Sequence, residues 1–377
     1  MKKLYALILL LSLSIITCAQ CNGRYQSEIF SSTTKTTVNY SDVYTDNAHQ
    51  MDIYTPNGDT ETNRPVILYM HGGSFYAGDK GSSDCVDFCE SMAKRGYVTA
   101  SLNYRLASNI IGFLTSNETQ YETVLKAVSD AKAAVRYFRK DFANGDTYGI
   151  DPNTIFAGGY SAGGVIAIHQ AYIDNIMDLP SLAIDNDGSS FNVQSIINNV
   201  GGAYGLEGDA GNYGYPSEIA GVISFAGGIN NVSWIDSNDE PLVSIQGTED
   251  LTVGYNCSPG LNNSLVLTLC GSAEMHPQAN LAGVVNDQLI FNGEGHGWAA
   301  NGNTNSKFIN AMNFTSNFLF PLLPCNNITD FHEESLTETK ELIKTIDLLG
   351  RSSDAIAKNS IIYIYSDGSI EHKIIIK

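Results

Sequence analysis

Positive charge is scarce in this chain. Lys and Arg number 21 against 40 Asp and Glu, a formal net charge of −19. That imbalance excludes a basic surface for nucleic acid. Cysteine is sparse too, and none of the seven stands with histidine at zinc-ligand spacing, so no metal centre is expected. Long apolar runs are missing. The one at residues 4–16 is too short to cross a bilayer, and no later segment qualifies. No internal repeat is present, which excludes solenoid and propeller architectures.

What the chain does hold is enough apolar material for a large core: 43% of its 377 residues. It opens with Met1-Lys2-Lys3, the apolar run, and Thr17-Cys18-Ala19-Gln20, the layout of an export signal over residues 1–20. Cleavage there leaves Cys21, Cys85, Cys89, Cys257, Cys270 and Cys325, an even set that permits three disulfides in an exported protein. Cys257 and Cys270 flank a polar loop and form the expected pair. Cys85 and Cys89 read either as a local bridge or as two buried thiols. The rival reading, a lipid-modified Cys18 or Cys21, fits the preceding Thr17 and Gln20 less well.

The chain is organised around Gly159-Tyr160-Ser161-Ala162-Gly163. A short apolar strand over 155–157 runs into it and an apolar helix leaves it, the strand–turn–helix setting of a nucleophile elbow. Small flanking residues let the strained turn form, and the helix N-terminus behind it directs free N–H groups at a developing anion. Other strand-like runs lie at 37–43, 50–54, 65–70, 97–102, 220–225, 241–245 and 288–291. Helical spacing is expected over 84–95, 121–142 and 306–318. This alternation predicts an α/β architecture with a mostly parallel sheet covered on both faces. Residues 174–218, rich in Asn, Asp, Gly and Tyr, read as an insertion, with one short helix near 193–198, serving as a lid.

A nucleophilic serine needs a base, and the base needs an orienting acid. His296, in Gly293-Glu294-Gly295-His296-Gly297-Trp298, follows the last strand and is the best base. His276, before a proline in a polar loop, and His169, in the elbow helix, are poorer. The acid is Glu249 or Asp250, with Asp250 favoured by its distance past the strand ending at 245. Upstream, His71-Gly72-Gly73-Ser74-Phe75 follows a strand, where backbone N–H groups can face an oxyanion. Gly73, Ser74 and Ala162 are assigned that role, and His71 is read as bracing the loop. Phe75, Tyr76, Tyr160 and Trp298 are candidate walls for the substrate, or else core packing.

With these motifs in order, residues 36–322 resemble the α/β-hydrolase superfamily, nearest its secreted carboxylesterases with an HGG oxyanion loop. Ser101-Leu102-Asn103-Tyr104-Arg105-Leu106, Asp130 to Tyr137 and Asp151-Pro152-Asn153 are similar to that family's framework segments. The resemblance implies metal-free hydrolysis of a carboxylic ester through Ser161, His296 and Asp250, with no cofactor. Three positions depart from the pattern: Ser74 replaces a third glycine, Tyr160 an acid, and Gln246 a histidine. Short-acyl esters, acetyl or feruloyl groups on polysaccharide, and ester polymers are all open as substrates. The alternatives are a serine peptidase on the same fold and a non-catalytic hydrolase-like surface protein.

After Cys325 the character changes. A polar linker over 326–343 leads to strand-like segments at 344–351, 360–365 and 371–377, with Asp367-Gly368 as a hairpin turn, a small all-β module. Ile346-Asp347-Leu348-Leu349-Gly350-Arg351 and Ile362 to Ser369 resemble the C-terminal sorting domain of the Bacteroidetes type IX secretion system. That implies the secretion machinery as a partner and a secreted or cell-surface location. A carbohydrate-binding module is the alternative, disfavoured by short length and the lack of tryptophan.

Overall fold

The computed structural model describes Cys21, residues 23–325, and three strands at 342–346, 360–365 and 370–374. The export signal at 1–20, most of the linker and the Asp367-Gly368 turn lie outside the described residues. The chain divides into two compact units, Met1–Asn326 and Asn327–Lys377.

In the first unit, β1 (Thr33–Asn39), β2 (Gln50–Pro56), β3 (Arg64–Met70) and β4 (Val98–Leu102) come first, with α1 (Ser83–Lys94) between β3 and β4. Then follow α2 (Ile110–Thr115), α3 (Asn117–Ala143), β5 (Ile150–Tyr160) and α4 (Ala162–Tyr172). The 174–218 segment holds a small hairpin, β6 (Leu182–Ile184) and β7 (Ser190–Asn192), and α5 (Val193–Gly201). The unit ends with β8 (Val222–Phe225), β9 (Leu242–Gly247), the two-residue strands β10 (Ser258–Pro259) and β11 (Thr268–Leu269), α6 (Ser272–Ala282), β12 (Asn286–Phe291) and α7 (Ser306–Leu319).

Eight strands form one sheet in the order β1-β2-β4-β3-β5-β8-β9-β12. Every pairing from β4 to β12 is parallel, while β1 and β2 are antiparallel. All seven residues of β3 are buried, as a strand covered by helices on both faces must be. Alternation along β3 splits its side chains between two cores. Val66, Leu68 and Met70 join α3, α4 and α5 on one face, and Ile67 and Tyr69 join α1 and α7 on the other. Helix α3 meets the sheet through Ala127, Ala131, Ala134, Val135 and Phe138, at three- and four-residue spacing. Every residue of α4 is buried, so the element behind Ser161 is locked on all sides.

Three features depart from the sequence reading. The strand expected at 37–43 is β1, Thr33–Asn39. His276, read as lying in a polar loop, falls in α6, with Pro277 inside the helix. Gln246 Oε1 accepts from the Ser272 amide at its start, and burial of Met275, His276 and Ala279 outweighs the proline. Helix α2 had no visible period because it is only six residues long. Cys257 and Cys270 are bonded as expected, and a second disulfide joins Cys21 to Cys325. Cys85 and Cys89 are buried free thiols.

In the second unit, β13 (Leu342–Ile346), β14 (Ser360–Tyr365) and β15 (Ile370–Ile374) form an antiparallel meander. No helix among the described residues is long and apolar enough to cross a membrane.

Candidate active site

Strand β5 delivers Ser161 at its carboxyl end, and Ser161 is the N-cap of α4 with φ 56° and ψ −117°. A serine in the left-handed region is strained and persists only when its surroundings fix it. Here its amide donates to the Phe225 carbonyl at 2.8 Å, on β8. Gly159 and Gly163 both press on the carbonyl of Met70, where any Cβ would collide. The turn therefore demands these glycines for close approach of β5 and α4 to β3.

Ser161 Oγ lies 2.8 Å from His296 Nε2, and His296 Nδ1 lies 2.7 Å from Asp250 Oδ2. With Nδ1–H donating to the carboxylate, Nε2 is free to accept the serine proton. The second Asp250 oxygen accepts from the amides of Thr252 and Val253 at 2.9 and 3.0 Å. Asp250 is buried and Glu249 is exposed, so geometry separates the two acids. The loops after β9 and β12 are laced together: Glu249 N donates to Glu294 O at 2.8 Å and Gly293 N to Thr248 Oγ1 at 2.9 Å.

Tyr160 and Trp298 are not pocket walls. The Tyr160 ring stacks on His296 at 5.2 Å, and its hydroxyl donates to the His296 carbonyl at 3.0 Å. Trp298 is 2% exposed and packs against Phe225 and Phe291. Both brace the turn His296–Trp298 from behind.

The HGG segment crosses in front of the serine. A Cβ on Gly72 would sit 2.9 Å from the Tyr160 ring and 3.3 Å from Ser161 Cβ. Gly73, Ser74 and Phe75 all have positive φ, at 121°, 54° and 63°. The amides of Gly73, Ser74 and Ala162 make no hydrogen bond within the described residues. His71 holds the loop: its Nδ1–H donates to the Gly72 carbonyl at 2.6 Å, and its ring stacks on Tyr104 at 4.3 Å. Burial pushes the His71 pKa below its ordinary value, which keeps the ring neutral.

Beside Ser161 opens a small apolar cleft. Phe75 lines it, but Tyr76 stands outside, edge-on to Phe113. The other apolar walls, Phe113, Val165, Leu261, Val266 and Leu269, were not visible in the sequence. Their only prior signal was the expected Cys257–Cys270 pair around a loop. None of the cleft's lining comes from residues 174–218. That segment packs instead on α3, where Glu207 binds Lys132 and Arg136 at 3.2 and 2.7 Å, and on the loop after β4, where Asp209 binds Arg105 at 2.6 Å. Gln246, at the position of the missing histidine, joins the Val253 carbonyl to the Ser272 amide at 2.8 and 2.7 Å.

A parallel sheet with a serine elbow after β5, and loops after β9 and β12 converging on that serine, defines an α/β-hydrolase. The chain belongs to the BD-FAE family, whose model matches residues 51–265. Among solved structures it is similar to Thermogutta terrifontis esterase 2 phosphoramylated by tabun, with a TM-score of 0.53 and 20% identity, over 76% of this chain and 93% of that one. A truncated carbohydrate esterase from gut microbiota gives 0.52 and 18%, over 78% and 98%. At such identities the likeness is one of fold. The para-nitrobenzyl esterase of Bacillus subtilis is 30% identical over 115 residues, 30% of this chain and 22% of that protein. The chain thus spans about a fifth of that relative's length.

Proposed function

We propose that this protein is a carboxylic ester hydrolase working through Ser161, His296 and Asp250. The observation that carries this is the continuous chain from Ser161 Oγ through His296 to the buried Asp250, at 2.8 and 2.7 Å. In this reading Ser161 Oγ attacks the ester carbonyl carbon while His296 Nε2 takes its proton. The oxyanion accepts from the amides of Gly73, Ser74 and Ala162, each donor contributing about 10²–10³ in rate. Collapse breaks the carbon–oxygen bond, and His296 returns the proton to the leaving alcohol. Water, deprotonated by His296, then attacks the acyl-enzyme, and the acid departs with Ser161 restored. Asp250 keeps the imidazole in its productive tautomer and stabilises the cation formed at each stage. The likeness to esterases by fold and the match to a para-nitrobenzyl esterase support an ester as substrate. The test is hydrolysis of p-nitrophenyl butyrate by the protein and by Ser161→Ala. Equal rates in the two would refute the reading.

We also assign the chain to the exported proteins, on the layout of residues 1–20 and the two disulfides. The tail from residue 344 is taken as a type IX sorting module. Deleting residues 342–377 then stops release from the cell. Unchanged release would exclude that role.

A further inference from the structure

The cleft beside Ser161 ends against a loop whose construction sets its depth. Residues 257–270 are closed by Cys257–Cys270 and by the short ladder of β10 with β11. The Leu261 amide donates to the Thr252 carbonyl at 2.7 Å, tying the loop to the segment that holds Asp250. Leu261 has φ 58°, a left-handed position that a leucine keeps only under constraint.

One side chain outside the cleft locks this loop. Gln120, on α3, is 2% exposed. Its Nε2 donates to the carbonyls of Phe113 and Leu265, at 2.7 and 3.0 Å, and its Oε1 accepts from the Leu267 amide at 2.8 Å. Phe113 lines the cleft, and Leu265 and Leu267 belong to the loop that supplies Leu261, Val266 and Leu269 to it. The Gln120 amide thus ties the Phe113 segment to the loop, alongside Asn263 Nδ2, which donates to the Leu114 carbonyl at 3.1 Å. Such a buried group is costly to disturb, because its partners would be left unpaired.

A second, small depression is lined by Gln120, Tyr121, Val124, His169, Trp234 and Leu267. Residues 266–269 thus form a partition, with Val266 and Leu269 turned to the cleft and Leu267 to the depression.

We propose that this partition, held by Gln120, is the acyl-length gauge of the enzyme: it admits short aliphatic acyl groups and stops longer ones. Gln120 is a positioning residue and touches no substrate. The inference rests on the hydrolase reading of Ser161.

The experiment compares kcat/KM for p-nitrophenyl acetate, butyrate and octanoate in the wild type, Ser161→Ala, Gln120→Ala and Val266→Ala/Leu269→Ala, with thermal midpoints recorded. The wild type is expected to lose about tenfold or more between butyrate and octanoate. Val266→Ala/Leu269→Ala is expected to raise the octanoate-to-acetate ratio by about tenfold or more. Gln120→Ala should move the same ratio, chiefly through a lower KM for octanoate, which general loosening of the fold would not produce. If Gln120→Ala does not fold, Leu269→Ala alone carries the measurement. Ser161-dependent turnover with an unmoved ratio in folded variants, or a wild type that prefers octanoate, overturns the gauge and leaves the hydrolase standing. Turnover indifferent to Ser161→Ala removes both.

Discussion

The two sides of Ser161 are built by different means. On the side of the base and acid, His296 and Asp250 leave the carboxyl ends of the neighbouring parallel strands β12 and β9, and backbone bonds join their loops. On the side of the acyl cleft, only Ala162 and Val165 belong to the elbow helix, and no wall belongs to the sheet. Phe75 lies in the HGG loop, Phe113 in a helix of six residues, and Leu261, Val266 and Leu269 in a disulfide-closed loop. The sheet's spacing fixes where the reacting groups meet. Side-chain amides such as Gln120 and Asn186, which donates to Leu265 O at 2.8 Å, fix what the cleft admits. Chemistry and selectivity therefore draw on separate supports, and the second can change without the first.

That separation can be broken in graded ways. The largest effect is expected from Ser161→Ala, a fall of about 10⁶ in kcat on p-nitrophenyl butyrate. Asp250→Asn comes next, at about 10⁴ in kcat, because the histidine loses its tautomer control. Glu249→Gln, one residue away and exposed, should leave kcat within twofold, about the scatter expected of a neutral surface change. Equal losses in the two would mean that the acid lies elsewhere. Trp298→Ala should cost about 3–5 kcal/mol in a urea melt, since it empties the packing behind His296. Removing the Cys257–Cys270 bond by a double alanine exchange should cost about 3 kcal/mol on the loop-entropy account. It should also shift acyl preference more than it shifts kcat on acetate, and the opposite order would merge the two sides.

The smallest effect lies at the far end of β9. Glu240 has its pKa pushed up to about 7 by burial, with Asp239 and Asp174 adding to the rise. Its proton is held more tightly in the folded state than in the unfolded one. The stability this gives is complete below the ordinary carboxyl range and is lost as pH rises through about 7. Urea midpoints at pH 5 and pH 8 should therefore differ less in Glu240→Gln than in the wild type, with the pH profile of ester turnover unmoved.

The parts that could be read from sequence are those where backbone crowding or periodicity dictates residue type. Gly159 and Gly163 must be small against Met70, β3 must be apolar throughout, and α3 must repeat every third or fourth residue. What could not be read depends on contacts between distant segments. Pro277 argues against a helix until Gln246 and the burial of Met275 and Ala279 are in view. Tyr160 and Trp298 look like substrate walls because aromatics near a nucleophile do either job, and only the bond to the His296 carbonyl separates the two. The 174–218 segment resembles a lid in composition, yet Glu207 binds it to α3 and Asp209 to Arg105. No local pattern marks Cys21 and Cys325 as partners across 304 positions.

That last bond has a topological consequence. From Cys21 to Cys325 the hydrolase unit is a covalent ring, with the tail attached outside it. A single cut by a protease at any loop of the ring opens it without releasing a fragment, so the nicked enzyme migrates as one species until the disulfides are reduced. Trimming anywhere beyond Cys325 leaves the ring whole. A first cut in the ring therefore leaves the polypeptide in one covalent piece.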